Sequence, residues 1–376
     1  MKLFIWVQHL FGVGHARRMA RIAEACGADG MDVTVAAGGP GGANLFRGLT
    51  NVSARQLPPL KTRDAEYSGL LTEANTAPDD TYWAARQKDL IAELNAAQSD
   101  VLLIELFPFG RRKFAREVLA LIHAARALPT HPLIISSVRD VVEPKNDPNK
   151  TAEMAGWLKA HFDAVLVHGD ESVLPLTATA PFVADAGVPL HYTGYVAPDV
   201  TDTSPPAGKA GVVVSAGSGA SGAKLLAVAN AVAKDHALRA RPWHIFVPPG
   251  VKAPSSGNPY AHIHPFSPDF TSYLARAEVS VGEAGYNTTL EALALGARPV
   301  LVPYVEAGQT EQPTRAKAFA RAGLAAYLPA KDLNPMMLLS TVEAARSLAP
   351  ATSLNLSGAK HASLILKGLR QDGVPS

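Results

Sequence analysis

The first residue that could carry out acid–base chemistry is His15, in the segment Gly12-Val13-Gly14-His15. An apolar run precedes this segment and a helical pattern follows it, so the glycines can form a sharp turn that lets a ligand approach the backbone. The helix N-terminus adds N–H groups and positive potential. An imidazole there, with a pKa near ~6.5, could take a proton from a hydroxyl. The alternative is that His15 only caps the first helical turn.

A glycine-rich segment could hold a phosphate group. It reads Gly217-Ser218-Gly219-Ala220-Ser221-Gly222, which matches the spacing of the dinucleotide-binding fingerprint. That fingerprint also needs an acidic residue about ~20 positions later for the ribose, and no acid occurs between Asp235 and Asp269. The pattern therefore argues against a nicotinamide cofactor but still favours a phosphate cradle at Ser218 and Gly219. A glycine turn without a ligand is the alternative.

A third segment combines a hydroxyl and a carboxylate. Thr288 and Glu291 are three residues apart near the predicted start of a helix, so their side chains share one face. The hydroxyl and the helix terminus suit a phosphate, and the carboxylate can accept from two vicinal sugar hydroxyls. A capping box, in which Thr288 caps the helix and Glu291 reaches back, is the alternative. Capping does not account for the pair Glu311-Gln312 downstream.

Short apolar runs that alternate with helical patterns must position these residues. Continuous apolar strands separated by helices indicate parallel strands buried on both faces, and ligands bind outside the carboxyl ends of such strands. The predicted strands are 3–7, 33–36, 101–105, 133–136 and 164–167 in the first half, and 212–214, 244–247, 279–281 and 299–302 in the second. We therefore predict two doubly wound, Rossmann-like α/β domains that face a central cleft.

The domain boundaries follow from a local change in composition. Residues 196–208 are rich in proline, threonine and aspartate, which predicts a linker and hinge. The first domain is then expected to span 1–195 and the second 209–376. The last helical pattern, around 359–369, is a candidate to cross back onto the first domain. A length of 376 residues favours two domains because it exceeds one ordinary core.

The composition excludes several classes of protein. A hydrophobic fraction of 47% is typical of globular chains and excludes wholesale disorder. The net charge of +2 gives no electrostatic reason to expect nucleic acid as a partner. The single cysteine, Cys26, excludes a disulfide scaffold and a cysteine-built metal site. Because no segment looks like a signal peptide or a membrane span, we expect a soluble, cytoplasmic protein.

The C-terminal motifs resemble the nucleotide-sugar signature of the GT-B glycosyltransferases, in particular the bacterial peptidoglycan N-acetylglucosaminyltransferases and their predicted glycosyltransferase relatives. The residues that carry the resemblance are Gly285, Asn287, Thr288, Glu291, Gly296, Pro299, Pro303, Glu311 and Gln312. Shorter matches at 12–18, 138–140, 167–170 and 192–195 extend it over nearly the whole chain. The resemblance implies a GT-B fold and transfer of a sugar from a nucleoside diphosphate sugar, with uridine as the favoured base, to a hydroxyl acceptor.

The resemblance also implies how the donor would be bound. Glu291 would hold the ribose hydroxyls, and Thr288 would hold the diphosphate together with Ser218 and Gly219. The main chain near Phe266 would face the base.

On the side of the reacting sugar, the resemblance implies three further contacts. Glu311 and Gln312 would bind hydroxyls of the transferred sugar. His15, flanked by Gly12 and Gly14, would face the anomeric centre or the acceptor.

The motifs fit an inverting transfer that needs no metal and no other cofactor. N–H groups of a glycine loop and a helix N-terminus can stabilise the leaving diphosphate without a cation. The sequence also lacks the Asp-x-Asp pair that metal-dependent sugar transferases usually carry. His15 is the predicted general base. Asp140, at the end of a predicted strand, is the first candidate for the carboxylate that supports it, and Glu105 is the second.

Two other functions stay open at this stage. A nucleotide-sugar epimerase of the same architecture would need acids around the anomeric carbon and no acceptor, and isotope scrambling of the donor alone would favour it. A non-catalytic nucleotide-binding subunit of a transferase complex is the other. The presence of His15 in one domain and Glu291 in the other argues against that subunit.

A basic segment could contact a membrane. Arg111, Arg112 and Lys113 lie among phenylalanines and could rest on an anionic membrane surface, where a lipid-linked acceptor would lie. The protein would then be peripheral on the inner face of the membrane. The alternative, which the pattern favours slightly, is a solvated helix face with Phe114 turned to the core.

Overall fold

The chain forms two α/β units, which a computed structural model describes over most of their length. The described residues are 1–10, 12–63, 69–143, 147–198, 211–216, 220–234, 241–255, 257–267, 269–304, 310–351 and 354–372. One unit comprises Met1–Glu171, Pro175–Val196 and Ser357–Ser376, and the other Ser172–Leu174 and Ala197–Leu356. Ser218 and Gly219, and most of the predicted linker, lie outside the described residues.

The first unit is built on a parallel sheet of seven strands, with a small antiparallel hairpin beside it. Its nine strands are β1 Lys2–Val7, β2 Asp32–Ala37, β3 Val52–Gln56, β4 Lys61–Thr62, β5 Leu70–Leu71, β6 Val101–Glu105, β7 Leu133–Arg139, β8 Ala164–His168 and β9 Leu190–Tyr192. The order in the large sheet is β3-β2-β1-β6-β7-β8-β9. The central strands are buried along their length, as a sheet covered on both faces requires.

Helices cover both faces of this sheet. Those between the strands are α1 Gly14–Ala28, α2 Asp80–Ala97, α3 Ala115–Arg126, α4 Pro148–His161 and α5 Phe182–Ala186. The helix α1 packs beneath β1 and β2 through Met19, Ile22 and Cys26, which are fully buried. On the opposite face, α2 and α3 close over Trp6 and Phe114, whose rings meet edge to face at 6.0 Å.

The second unit repeats the design with six parallel strands in the order β12-β11-β10-β13-β14-β15. The strands are β10 Val212–Ser215, β11 Trp243–Val247, β12 Ala261–Pro265, β13 Val279–Gly282, β14 Arg298–Leu301 and β15 Ala326–Tyr327. The helices are α6 Ala220–Val232, α7 Phe270–Arg276, α8 Tyr286–Ala294, α9 Glu311–Arg321 and α10 Pro335–Arg346. None of the helices in the described ranges is long and apolar enough to cross a bilayer.

The last helix, α11 Gly358–Asp372, belongs to the first unit. Its apolar residues Ala362, Leu366 and Leu369 join the core beneath α1. Ser363 Oγ donates to Asp29 Oδ2 at 2.7 Å, and the chain enters the helix through a bridge between Val196 and Ser357. One side of α1 is therefore covered by α11, whose apolar residues share the core between α1 and the sheet.

The strands that the sequence pattern missed lie at the sheet edges. β3, β9 and β15 flank the buried strands and carry few fully buried residues, so they lack the continuous apolar run that marks a central strand. Two short strands, β4 and β5, form the hairpin beside the large sheet. Asp147 caps α4 by accepting from the amides of Asn149 and Lys150.

Gly27 should be essential for the packing of α1. A Cβ built there would lie 1.9 Å from the carbonyl oxygen of Thr50, whereas one built at Gly156, on the exposed face of α4, would meet nothing within 4 Å. We expect Gly27→Ala to lower the free energy of unfolding by at least about 2 kcal/mol. The matched change Gly156→Ala should raise it by about 0.5–1 kcal/mol. Urea unfolding of both variants tests this, and equal effects would contradict it.

Candidate active site

The first candidate site lies where the strand order of the first sheet reverses. β1 is flanked by β2 on one side and β6 on the other, so the loops that leave β1 and β6 diverge and open a crevice at their carboxyl ends. Gly12 has a φ of +66° in the turn from β1 into α1. His15 is the second residue of α1, and the N-cap residue is Val13, which makes no side-chain cap. His15 therefore does not cap the helix.

His15 forms a hydrogen-bonded pair with Glu105. Its Nδ1 lies 2.5 Å from Oε1 of Glu105, the last residue of β6. Glu105 is fully buried, while 16% of the His15 side chain is exposed. An ionised carboxylate can only accept, so Nδ1 carries the proton and Nε2 keeps its lone pair. The arrangement supplies a proton acceptor that is held in one orientation.

Positive charge surrounds this pair. Arg18 Nη2 donates to the same Glu105 oxygen at 2.7 Å, and Arg111 Nη2 lies 4.0 Å from the other oxygen. Burial opposes ionisation of Glu105, but His15, Arg18 and Arg111 together hold its pKa well below the usual range. Burial lowers the pKa of His15 to about 4, although Glu105 opposes that shift. His15 is therefore neutral, and Glu105 ionised, at physiological pH.

The structure reverses the predicted order of the two supporting carboxylates. Asp140 follows β7, is fully buried, and lies beside Gly169, where a Cβ would come within 3.1 Å of the Asp140 Cβ. The carboxylate bonded to His15 is that of Glu105. Both residues lie at the carboxyl ends of neighbouring strands, and it is Glu105 whose side chain bonds the imidazole.

A buried polar cluster, which sequence reasoning missed, lies next to the pair. His168, at the end of β8, shares hydrogen bonds with Ser137 Oγ at 2.8 Å and Thr193 Oγ1 at 2.9 Å. Burial, then the charge of Arg18, lower the pKa of His168 well below its ordinary value, so this imidazole is neutral. The sequence does contain a signal for this cluster, since Glu105, Ser137 and His168 are polar residues at or near the carboxyl ends of successive apolar strands.

The basic segment is oriented differently from the prediction. Arg111 is only 9% exposed and turns inward, where its Nε donates to the carbonyl oxygen of Gln8 at 2.7 Å. Phe114 is fully buried between Trp6 and Trp83, as the alternative interpretation required. Arg112 is exposed and bonded to Glu153. Arg111 therefore belongs to the His15–Glu105 site and is not available to a membrane.

A second buried network holds the end of β1 in place. Gln8 donates to the carbonyl oxygen of Leu60 at 2.9 Å and accepts from Arg86 Nη2 at 2.7 Å. Arg86 is itself paired with Glu117, which also accepts from Trp6 Nε1 at 2.8 Å. Because Gln8 in turn accepts from Arg111, the network fixes the loop on which that arginine lies.

The second candidate site lies at the equivalent reversal of the second sheet, between β10 and β13. The N-cap of α8 is Gly285, which makes no side-chain cap, and Thr288 is the third helical residue. The capping-box alternative for Thr288 and Glu291 is therefore wrong. Both side chains are half-buried on one face of the first turns, next to Asn287.

Arg315, which the sequence analysis did not single out as a site residue, ties α9 to this helix start. It is fully buried, donates to the carbonyl oxygen of Ala284 at 2.7 Å and to Glu311 Oε1 at 3.0 Å, and lies over the Tyr286 ring at 5.4 Å. Gln312 Oε1 accepts from the amide of Tyr304 at 2.8 Å. The structure thus brings Glu311 next to the turn that precedes α8, as a shared site requires.

Of the remaining predicted donor residues, the structure describes Phe266. Phe266 follows β12, is 62% exposed, and its amide donates to the carbonyl oxygen of Val247 at 3.0 Å. Ser218 and Gly219 lie outside the described residues. Over the described part of the chain, no group of three or more histidine, cysteine, aspartate or glutamate side chains could hold a metal ion.

Sequence comparison identifies relatives of part of the chain. Residues 213–364 match the sequence model of the glycosyltransferase family 28 C-terminal domain. A stretch of 114 residues is 30% identical to the UDP-N-acetylglucosamine--N-acetylmuramyl-(pentapeptide) pyrophosphoryl-undecaprenol N-acetylglucosamine transferase of Agrobacterium fabrum, and covers 29% of this chain and 30% of that enzyme. This chain thus matches less than a third of the length of that relative.

Comparison with solved structures extends over the whole chain. The glycotransferase of kitacinnamycin aligns with a TM-score of 0.60 and 18% identity, over 99% of this chain and 97% of its own. MurG from Acinetobacter baumannii aligns with a TM-score of 0.54 and 14% identity, over 98% and 99%. The predicted GT-B fold is confirmed, and so is the resemblance drawn from the sequence motifs.

Acid should destabilise the first unit through His15 and His168. Both have pKa values lowered in the folded state, so the unfolded chain binds more protons and stability is lost as the pH falls below about 6.5. We expect His15 to cost about 2 kcal/mol between pH 7.5 and 5, and His168 to add to this loss. Urea unfolding followed by tryptophan fluorescence tests this. The variant His168→Gln should show a shallower pH dependence, and a wild-type stability that is flat over this range would contradict the expectation.

Proposed function

We propose that this chain is a glycosyltransferase that moves a sugar from a nucleoside diphosphate sugar to a hydroxyl acceptor. The observation that carries the proposal is the hydrogen bond between His15 and Glu105 at the switch point of the first sheet. The family match over the second unit supports a donor site there, since that unit also holds Thr288 and Glu291 on one face of α8.

In the proposed reaction, His15 acts as the general base. Its Nε2 takes the proton of the acceptor hydroxyl while the hydroxyl oxygen attacks the anomeric carbon. The bond from that carbon to the diphosphate oxygen breaks, and the leaving nucleoside diphosphate keeps the electron pair. Glu105 stabilises the imidazolium that forms without taking its proton. A single displacement inverts the configuration at the anomeric carbon.

The donor is proposed to bind along α8 and the start of α9. Glu291 accepts from the ribose hydroxyls, and the N-terminus of α8, with Asn287 and Thr288, faces the diphosphate. Glu311 and Gln312 contact the transferred sugar; Arg315 and the amide of Tyr304 already hold their side chains in place. Ser218 and Gly219 complete the phosphate cradle, Gly285 provides the turn, and the backbone at Phe266 faces the base.

We propose that the leaving group is stabilised without a metal. The positive end of α8 points at the place where the negative charge of the diphosphate develops, and such preorganised dipoles act strongly in a site that excludes water. A uridine diphosphate sugar is the proposed donor, because the relative from Agrobacterium fabrum is named for UDP-N-acetylglucosamine.

The acceptor is proposed to be a hydroxyl compound that enters beside His15. The Agrobacterium fabrum relative is named for a pyrophosphoryl-undecaprenol acceptor, which supports a lipid-linked molecule as one form of it. Of the basic segment, Arg112 and Lys113 are exposed, so a membrane contact would rest on these two. The epimerase and the non-catalytic subunit are not favoured by the comparisons.

Loss of the base should abolish transfer but spare the donor site. We expect His15→Ala to lower the transfer rate by about 10²–10⁴-fold while nucleotide affinity stays within about threefold, because His15 belongs to the other unit. Glu105→Gln should also reduce the rate strongly, since the imidazole loses the group that fixes its tautomer. The matched control is His123→Ala, on α3, which should behave as wild type. Turnover retained by His15→Ala would remove this residue as the base.

A thermal-shift screen of nucleoside diphosphates tests the donor site. Because a ligand that binds only the folded state raises its stability, we expect uridine diphosphate to raise the melting temperature most, with or without a metal chelator. Glu291→Gln should weaken binding by about tenfold through the lost ribose hydrogen bonds. The control Glu343→Gln, on α10, should leave affinity unchanged. No response to any nucleotide would contradict the proposed function.

A further inference from the structure

We propose that Arg18 is a positioning residue for the base, whose guanidinium fixes the Glu105 carboxylate and keeps His15 an uncharged proton acceptor. Nothing in the sequence motifs or the comparisons assigns this role to Arg18. The effect on rate rests on the proposed function, whereas the protonation of His15 can be measured without any substrate.

The geometry couples Arg18 to His15 through one oxygen atom. Arg18 Nη2 and His15 Nδ1 lie 2.7 Å and 2.5 Å from the same Oε1 of Glu105. Arg18 and His15 are three residues apart on α1 and therefore project from one helix face. Protonation of His15 would place a second positive charge within about 5 Å of the guanidinium, which disfavours the imidazolium.

Arg18 and Glu105 must pair because both charged side chains are buried. Arg18 is 2% exposed and Glu105 is fully buried, so each charge needs the other as its partner. The charge of Arg18 lowers the pKa of Glu105, which keeps the carboxylate ionised, and it also lowers the pKa of His168 on its other side.

The other groups that face His15 act in both directions. Glu105, at the end of β6, is the only carboxylate bonded to the imidazole among the described residues, and it favours the imidazolium. Arg111, on the loop after β6, and Arg139, at the end of β7, disfavour it. A histidine paired with a carboxylate alone would gain a raised pKa and be partly protonated near neutral pH. Burial is the largest cause that lowers the pKa of His15, and Arg18, on the same carboxylate oxygen, adds a positive charge that acts in the same direction while the orientation is kept.

The test is the titration of His15 followed by NMR of labelled imidazole in the substrate-free protein, in wild type and in Arg18→Met. The methionine keeps the length of the side chain but removes its charge. We expect the midpoint of His15 to rise by about one to two pH units, and the acid limb of the transfer rate to move up with it. The control is Arg17→Met, the exposed neighbour on α1, which should leave the midpoint unchanged.

The outcomes separate positioning from a purely structural role. If Arg18→Met is folded but titrates as wild type, the proposal is overturned, whatever happens to stability. Arg18→Lys should restore a midpoint close to wild type. If Arg18→Met fails to fold, the same titration is carried out on Arg18→Gln, for which a midpoint equal to that of the wild type would overturn the proposal. In the wild type itself, a His15 midpoint at or above about 6.5 would also overturn it. Because no substrate is present, a chain without transferase activity would still give this answer.

Discussion

The reversal of strand order in each parallel sheet is the constraint on which both candidate sites depend. In the first unit β1 has β2 and β6 as neighbours, and in the second β10 has β11 and β13. Consecutive crossovers must then leave in opposite directions, so the carboxyl ends of two adjacent strands are not covered by a connecting loop. His15 and Glu105 occupy one of these uncovered places, and the start of α8 occupies the other. The two units thus place different functional groups at the same position of the sheet topology.

Burial of charge then limits what can change around the first site. Glu105 is ionised at the end of a fully buried strand, which is tolerable only because His15 and Arg18 satisfy it directly. The orientation of α1 is therefore tied to that of β6 by side-chain bonds as well as by packing. Arg111 links the same carboxylate to Gln8, and through Gln8 to the pair formed by Arg86 and Glu117. The base is held by contacts from both faces of the sheet.

Much of this architecture could be predicted from sequence, because a central parallel strand leaves an unmistakable apolar run. The edge strands β3, β9 and β15 were missed, since a half-covered strand carries no such run. His15 was found because glycines mark the turn before it. Asp140 and Glu105 both lie at strand ends, so that position alone could not decide which carboxylate bonds His15. The choice depends on which side chain faces the helix that carries His15, and this is known only from the fold.

Charged residues on helices were the hardest to interpret from sequence. Arg18 was missed because, in a helical pattern, an arginine normally belongs to the solvated face. The basic neighbours of Arg111 are compatible with a membrane contact or a solvated helix face, yet a backbone φ of 57° turns this side chain toward Glu105 instead. The local sequence pattern shows only which residue types are neighbours along the chain. These guanidinium groups are buried because of the Glu105 carboxylate, which lies 87 positions away from Arg18 in sequence and is brought near it by the fold.

The C-terminal helix has a consequence for how the protein is made. Since α11 packs beside α1, the first unit combines α1 with a helix that is synthesised more than 300 residues later. Residues 197–356 emerge and can fold before residues 357–372 exist to complete that core. During synthesis the helix that carries His15 therefore lacks part of its apolar contact, and a surface accessible to chaperones lasts until α11 has been translated.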